Sequence, residues 1–185
     1  MAIRDRVKEA IDKLNLNDPI NALIQVSIAI DATGKKEYPG KKTSFRCKKF
    51  LVENRGFISR VAFGKLEIQG PMLFPVKTSK GTKSVKTLEE VLYHLVRCSL
   101  LHEGDLPNEV EITSRNEIGM TIDGKVLISV NMIWAMILAV IGSRVNRSEK
   151  LPPGYTASIE DVNIDLNEFW GDSQRIYNLV KEHNK

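Results

Sequence analysis

In the stretch "YHLVRCSLLHEG", Tyr93 to Gly104, one arginine and two histidines interrupt an apolar helical pattern. An imidazole titrates near neutral pH, so it can take a proton from a ribose 2′-hydroxyl or return one to a leaving oxygen. A guanidinium fork stabilises the charge that develops on phosphorane oxygens. Arg97 and His102 together therefore point to one chemistry, phosphodiester cleavage without a metal. The same residues also allow a structural reading, with Arg97 paired to a neighbouring acid and His102 resting on the helix dipole.

Position decides whether the two groups can meet. On a regular α-helix, five positions amount to about 500°, so the side chains diverge by roughly 140° and by about 7.5 Å in rise. Two routes bring them together. Gly104 is expected to stop the helix just past His102, which leaves the imidazole in a fraying last turn within reach of the long arginine. Alternatively, a twofold axis sets two copies of the pair against each other. His94 is expected to pack half-buried against a neighbouring helix and bond a backbone carbonyl. His94, His102 and Glu103 match no compact ligand set, so no metal is expected. His183, near the C-terminus, is read as inert. No GxSxG, Walker-type or dinucleotide fingerprint is present, and no cofactor is expected.

Cations surround this motif in sequence. Lys35, Lys36, Lys41, Lys42, Arg46, Lys48 and Lys49 fall within fifteen positions that hold one acid, Glu37. Lys77, Lys80, Lys83 and Lys86 lead into the motif with no acid among them. If both groups flank His102 they form a phosphate track, and binding should weaken steeply with salt. Lys36, Lys41, Lys42, Arg46, Lys83 and Lys86 are the expected RNA contacts. A plain solvated face is the competing reading. Tyr38, Phe45 and Phe57 are the few aromatic side chains nearby on which bases could stack.

The elements that must hold these groups are mostly helical. Ile3, Val7, Ile11 and Leu14 predict a first helix to about Asn15. Asp18 before Pro19 predicts the cap of a second helix that continues toward Lys36, and Pro39-Gly40 ends it. A third helix is expected over about Thr43–Asn54, with Phe45, Phe50 and Leu51 in the core. From Phe57 the pattern reads as short alternating stretches, followed by a loop rich in Pro, Gly and Ser up to Lys86. Thr87 and Glu90 form a capping-box pattern that opens the motif helix. Region 109–130 reads as a small antiparallel β insertion with an Asp123-Gly124 hairpin turn. A very apolar helix follows it, then a proline-bearing loop, and a last amphipathic helix over about Leu166–His183. The acids of "IEDVNIDLNE" are expected to cap that helix.

The chain has 185 residues, enough for one domain that buries about 70% of its unfolded surface. With 42% hydrophobic and 27% charged residues it is composed like a globular protein. A net charge of +4 and a pI near 9.0 permit nucleic acid as a partner. Cys47 and Cys98 form no CxxC pair, so buried thiols in a reducing compartment are expected. "MAIRDRVKEA" lacks the apolar stretch of a secretion signal. The apolar run Ile128–Gly142 falls short of the roughly 20 residues of a membrane span and is read as a fully buried or interface helix. A soluble, cytoplasmic protein is the expectation.

The helix "LYHLVRCSLLHEG" resembles the signature of the HEPN superfamily, an arginine and a histidine separated by four to six residues. Asp31 and Lys35 in "AIDATGKKEY" resemble its companion pair on an earlier helix, one turn apart on one face. The resemblance implies a mainly α fold, with an up-and-down four-helix core that homodimerises. It also implies a metal-independent ribonuclease of a defence, stress or toxin–antitoxin system, with RNA as substrate. In that reading Arg97 stabilises the scissile phosphate, His102 transfers protons, and Asp31 with Lys35 orients them. Cys98 stands where nuclease members often carry Asn, Asp or His. Gly104 stands where one toxin branch has a tyrosine, so that branch's neutralisation by modification is not implied. A catalytically silent module that binds a protein partner or a nucleotide is the alternative.

Overall fold

The computed structural model describes residues 2–77, 83–98, 107–159 and 162–183, with the backbone alone at 77, 83, 95–98, 159, 162 and 183. It is mainly helical, with three small sheets. Helix α1 (Ile3–Asn15) buries Ile3, Val7, Ala10 and Ile11, the spacing of a single apolar stripe. Asp18 caps α2 (Pro19–Glu37) by accepting the Asn21 backbone N–H at 3.2 Å, and Pro19 occupies the first helical position. Helix α3 (Thr43–Glu53) follows and buries Cys47, Phe50 and Leu51. Phe45 differs from expectation, standing 46% exposed outside the core.

Residues expected to alternate as strand fold instead as α4 (Arg55–Phe63), which buries Ile58, Ser59 and Ala62. Packing against the rest of the core overrides the β-leaning local composition of Phe57, Ile58, Val61 and Phe63. Two parts of the segment expected as a loop are strands instead. Strands β1 (Leu73–Lys77) and β2 (Lys83–Thr87) pair antiparallel, Phe74 opposite Lys86, with Phe74 and Val76 buried and Leu73 and Pro75 exposed. The capping box holds as expected. Thr87 N–H donates to Glu90 at 3.0 Å and Glu90 N–H donates to Thr87 Oγ1 at 3.4 Å, opening the short α5 (Leu88–Glu90). Its continuation, Val91–Cys98, is wound as a π-helix rather than an α-helix.

The 109–130 region is a mixed sheet and not an antiparallel one. Strand β5 (Val126–Ser129) lies between β3 (Val110–Thr113), to which it is parallel, and the short antiparallel β4 (Gly119–Met120). The twelve residues from 114 to 125 suffice for the crossover a parallel pair requires. The Asp123-Gly124 turn is present, with Gly124 at φ +88°. Helix α6 (Val130–Gly142) is the centre of the molecule. Ten of its thirteen residues are buried, and α1, α2, α4 and the last helix pack around it. The buried reading of this apolar run is therefore the right one. Among the described residues no helix is long and apolar enough to cross a membrane.

Strands β6 (Thr156–Ile159) and β7 (Val162–Asp165) form a third, antiparallel sheet where the sequence predicts loop and cap. Asp165 caps only a 3₁₀ turn, Leu166–Glu168, by accepting the Asn167 N–H at 2.9 Å. Helix α7 starts later, at Ser173, and runs to His183. Gly171 breaks what the sequence offers as one helix. It sits at φ +81°, and a Cβ there would lie 2.5 Å from the Cβ of Arg147.

Candidate nucleic-acid interface

Helix α3 packs closely against α2 because Gly34 leaves room. A Cβ at Gly34 would come within 3.0 Å of the Arg46 side chain. This approach delivers Arg46 to Asp31. Its Nε and Nη2 donate to Asp31 Oδ1 at 3.0 and 2.7 Å, while further N–H groups reach the Lys41 carbonyl at 2.8 Å and Thr43 Oγ1 at 2.9 Å. Both side chains of the pair are largely buried. Asp31 and Arg46, expected to serve catalysis and RNA respectively, are thus joined to each other. Lys36 is engaged too, donating to Glu149 at 3.1 Å and to Asn146 Oδ1 at 3.4 Å. Fully buried Asn146 continues this seam, donating to Thr33 Oγ1 at 2.9 Å and to the Val140 carbonyl at 2.8 Å.

The remaining cations lie elsewhere on the surface. Lys35, Lys41, Lys42, Lys48 and Lys86 make no ion pair among the described residues. Lys35, Lys41 and Lys42 are exposed. Phe45, Lys48, Lys49 and Val52 recur at the spacing of one helix face, so the outer side of α3 combines cations with an exposed ring. Lys41 Nζ stands 5.7 Å from the centre of the Phe45 ring, and Tyr38 meets that ring edge-on at 6.1 Å. Phe57 is half-buried and packs on the core.

Strand β2 and the π-helix extend this face. Lys86 precedes the Thr87 cap, and His94 lies on the first part of the π-helix, exposed and edge-on to Tyr93 at 4.8 Å. The half-buried histidine expected at this position is therefore not found. Desolvation, then Lys48 and Lys86, hold the His94 imidazole below its ordinary value, against the opposing pull of Glu90. Arg55 and buried Glu89 form an ion pair that ties α4 to α5, just before the π-helix. Arg97 lies on the π-helix, described by its backbone. The side chain of Lys83 and all of His102 and Gly104 lie outside the described residues.

Residues 2–185 match the Rv1289 family. The chain belongs to that family. The match takes in every element from α1 to α7, including the α3–β2–π face. Among similar curated proteins are the "uncharacterized protein Rv1289" of Mycobacterium tuberculosis (strain ATCC 25618 / H37Rv) and the "uncharacterized protein Mb1320" of Mycobacterium bovis. Each is 22% identical over 165 residues, covering 86% of this chain and 78% of the relative. No solved structure matches this Rv1289-family chain.

Sequence reasoning missed the most informative features of this face. The exposure of Phe45 was hidden because one aromatic on an amphipathic helix looks like core. The π winding was hidden because Leu88, Val91, Leu92 and Leu95 fit α-helical spacing equally well.

Proposed function

We propose that this protein holds single-stranded RNA along the face built from α3, β2 and the π-helix, and cleaves it without a metal. Arg97 stabilises the scissile phosphate and His102 transfers protons. Lys41, Lys42, Lys48 and Lys86 contact phosphates, joined by Lys83, and Phe45 offers a ring on which a base stacks. Lys36 and Arg46 contribute to the fold, and Asp31 acts through Arg46, fixing α3 against α2 with Lys35 one turn further along.

The observation that carries this reading is that Lys48 and Lys86, which make no ion pair among the described residues, act on His94 of the helix that also bears Arg97. The winding adds to it. In a π-helix, i→i+5 bonds close each turn, and such turns recur at functional sites. In this reading the helices form a HEPN-like up-and-down core that homodimerises, decorated by the three sheets. The biological setting is then a defence, stress or toxin–antitoxin system in the cytoplasm.

Purified protein incubated with single-stranded RNA in excess chelator should generate cyclic-phosphate ends. The activity should vanish in His102→Ala, and in Lys48→Ala/Lys86→Ala the apparent KM should rise. Equal, weak degradation by wild type and His102→Ala would overturn the nuclease. It would leave the silent module, which binds a partner protein or a nucleotide.

A further inference from the structure

A cleft of about 630 Å³ opens on the molecule between the end of α4, the start of α6 and strand β6. Its size suits a small molecule. The floor is apolar, made by Trp134, Leu138, Ala62 and Ala157, with the Trp134 indole half-buried. The rim carries the carboxamides of Asn15, Asn116 and Asn131 and the hydroxyls of Thr156 and Ser158, all exposed. None of these five side chains donates or accepts a hydrogen bond among the described residues. Among the described residues no charged side chain lines the cleft, in a chain whose residues are 27% charged.

These features define the ligand by exclusion and by fit. Among the described residues a phosphate or carboxylate finds no cation here, and an amine finds no acid. A flat heterocycle with apolar faces and hydrogen-bonding edges matches both parts of the cleft. Its faces lie on the indole, and its edge meets carboxamides, which present a donor and an acceptor side by side. We infer that the cleft binds a nucleobase as an uncharged nucleoside unit. The inference stands apart from the nuclease reading, because its ligand carries no phosphate and its residues lie outside the α3–β2–π face.

The chain holds two tryptophans, Trp134 and Trp170. Trp170 is buried, and its indole N–H has no partner among the described residues, so Trp170→Phe removes no hydrogen bond seen there and leaves Trp134 as the single reporter. Titration of that variant with adenosine should quench its fluorescence saturably. Adding Asn131→Ala, a change at an exposed position, should weaken binding by about tenfold, the loss of one good carboxamide–base pair. Wild-type protein should show adenosine-dependent NMR shifts at the Trp134 indole N–H, which guards against a fold defect in the fluorescent variant. Absence of those shifts in wild type would overturn the inference. So would equal affinity with and without Asn131→Ala, or saturation by glucose at lower concentration than by adenosine.

Discussion

The cations of α2 and α3 divide into two regions that the sequence presents as one run. At the α2–α3 seam, Arg46 is spent on Asp31 and Lys36 on Glu149. On the outer face, Lys41, Lys42 and Lys48 are joined by Lys86 from β2 and have no internal acid among the described residues. The two sets differ in what they answer to. A guanidinium held by four hydrogen bonds at 2.7–3.0 Å is part of the packing and is not available to a polyanion. Lys48 and Lys86, which make no ion pair among the described residues, add to burial in holding the His94 imidazole below its ordinary value. A run of basic residues therefore overstates a binding site until the acids that neutralise part of it are known.

That division can be broken from either side. The largest effect belongs to the seam. Arg46→Ala deprives largely buried Asp31 of its guanidinium and should lower the unfolding free energy by about 2–3 kcal/mol in urea titrations. Arg46→Lys should recover only part of that loss, because a lysine keeps the charge but not the fork. Full recovery would mean that charge alone matters and that Arg46 belongs with the outer set.

The outer face should show the reverse profile. RNA binding favours protonated His94, so the bound imidazole should titrate higher than the free one, whose value lies below the ordinary 6.5. RNA affinity should then rise as pH falls through the interval between the two values. Histidine proton shifts followed with and without an oligonucleotide would show this. An unmoved His94 titration would place the RNA elsewhere.

The smallest effect sharpens the picture of the seam as structural. Burial, with Glu53 nearby, pushes the Glu37 carboxyl above its usual range, although Ser143 donates to it at 2.6 Å. A raised carboxylate value means that the folded state holds the proton more tightly than the unfolded one. This contribution is full at acid pH and is lost as pH rises through the folded value. Glu37→Gln should therefore raise Tm by about 1–2 °C at pH 7, and the gain should vanish near pH 4. A lower Tm at pH 7 would show that the charged form is the one the fold requires.

Much of the helical frame was legible because its signals are local. Asp18-Pro19 caps α2, Thr87 and Glu90 box the start of α5, and an unbroken apolar run makes α6 the buried centre. The failures share a cause, since each depended on a partner remote in sequence. Helix α4 overrides its strand-like residues by packing on α6. Gly171 splits the last helix because Arg147 stands against it. Trp134 looks like any core residue inside its apolar run, and only β6 and α4 turn it into the floor of a cleft. For the candidate site the sequence offered only residue types suited to phosphate. The spatial sorting of its cations was not legible, because Glu149 lies more than a hundred positions from Lys36.

The most direct test measures how salt acts on RNA affinity in two variants with the same number of lysines removed. For single strands, log K falls with log salt by about 0.7 per phosphate contact. Lys48→Ala/Lys86→Ala should therefore flatten the slope by about 1.4, whereas Lys35→Ala/Lys36→Ala, one of whose cations Glu149 already neutralises, should flatten it by about half as much at most. Equal flattening in both variants, or none in the first, would contradict the assignment of RNA binding to the face around His94.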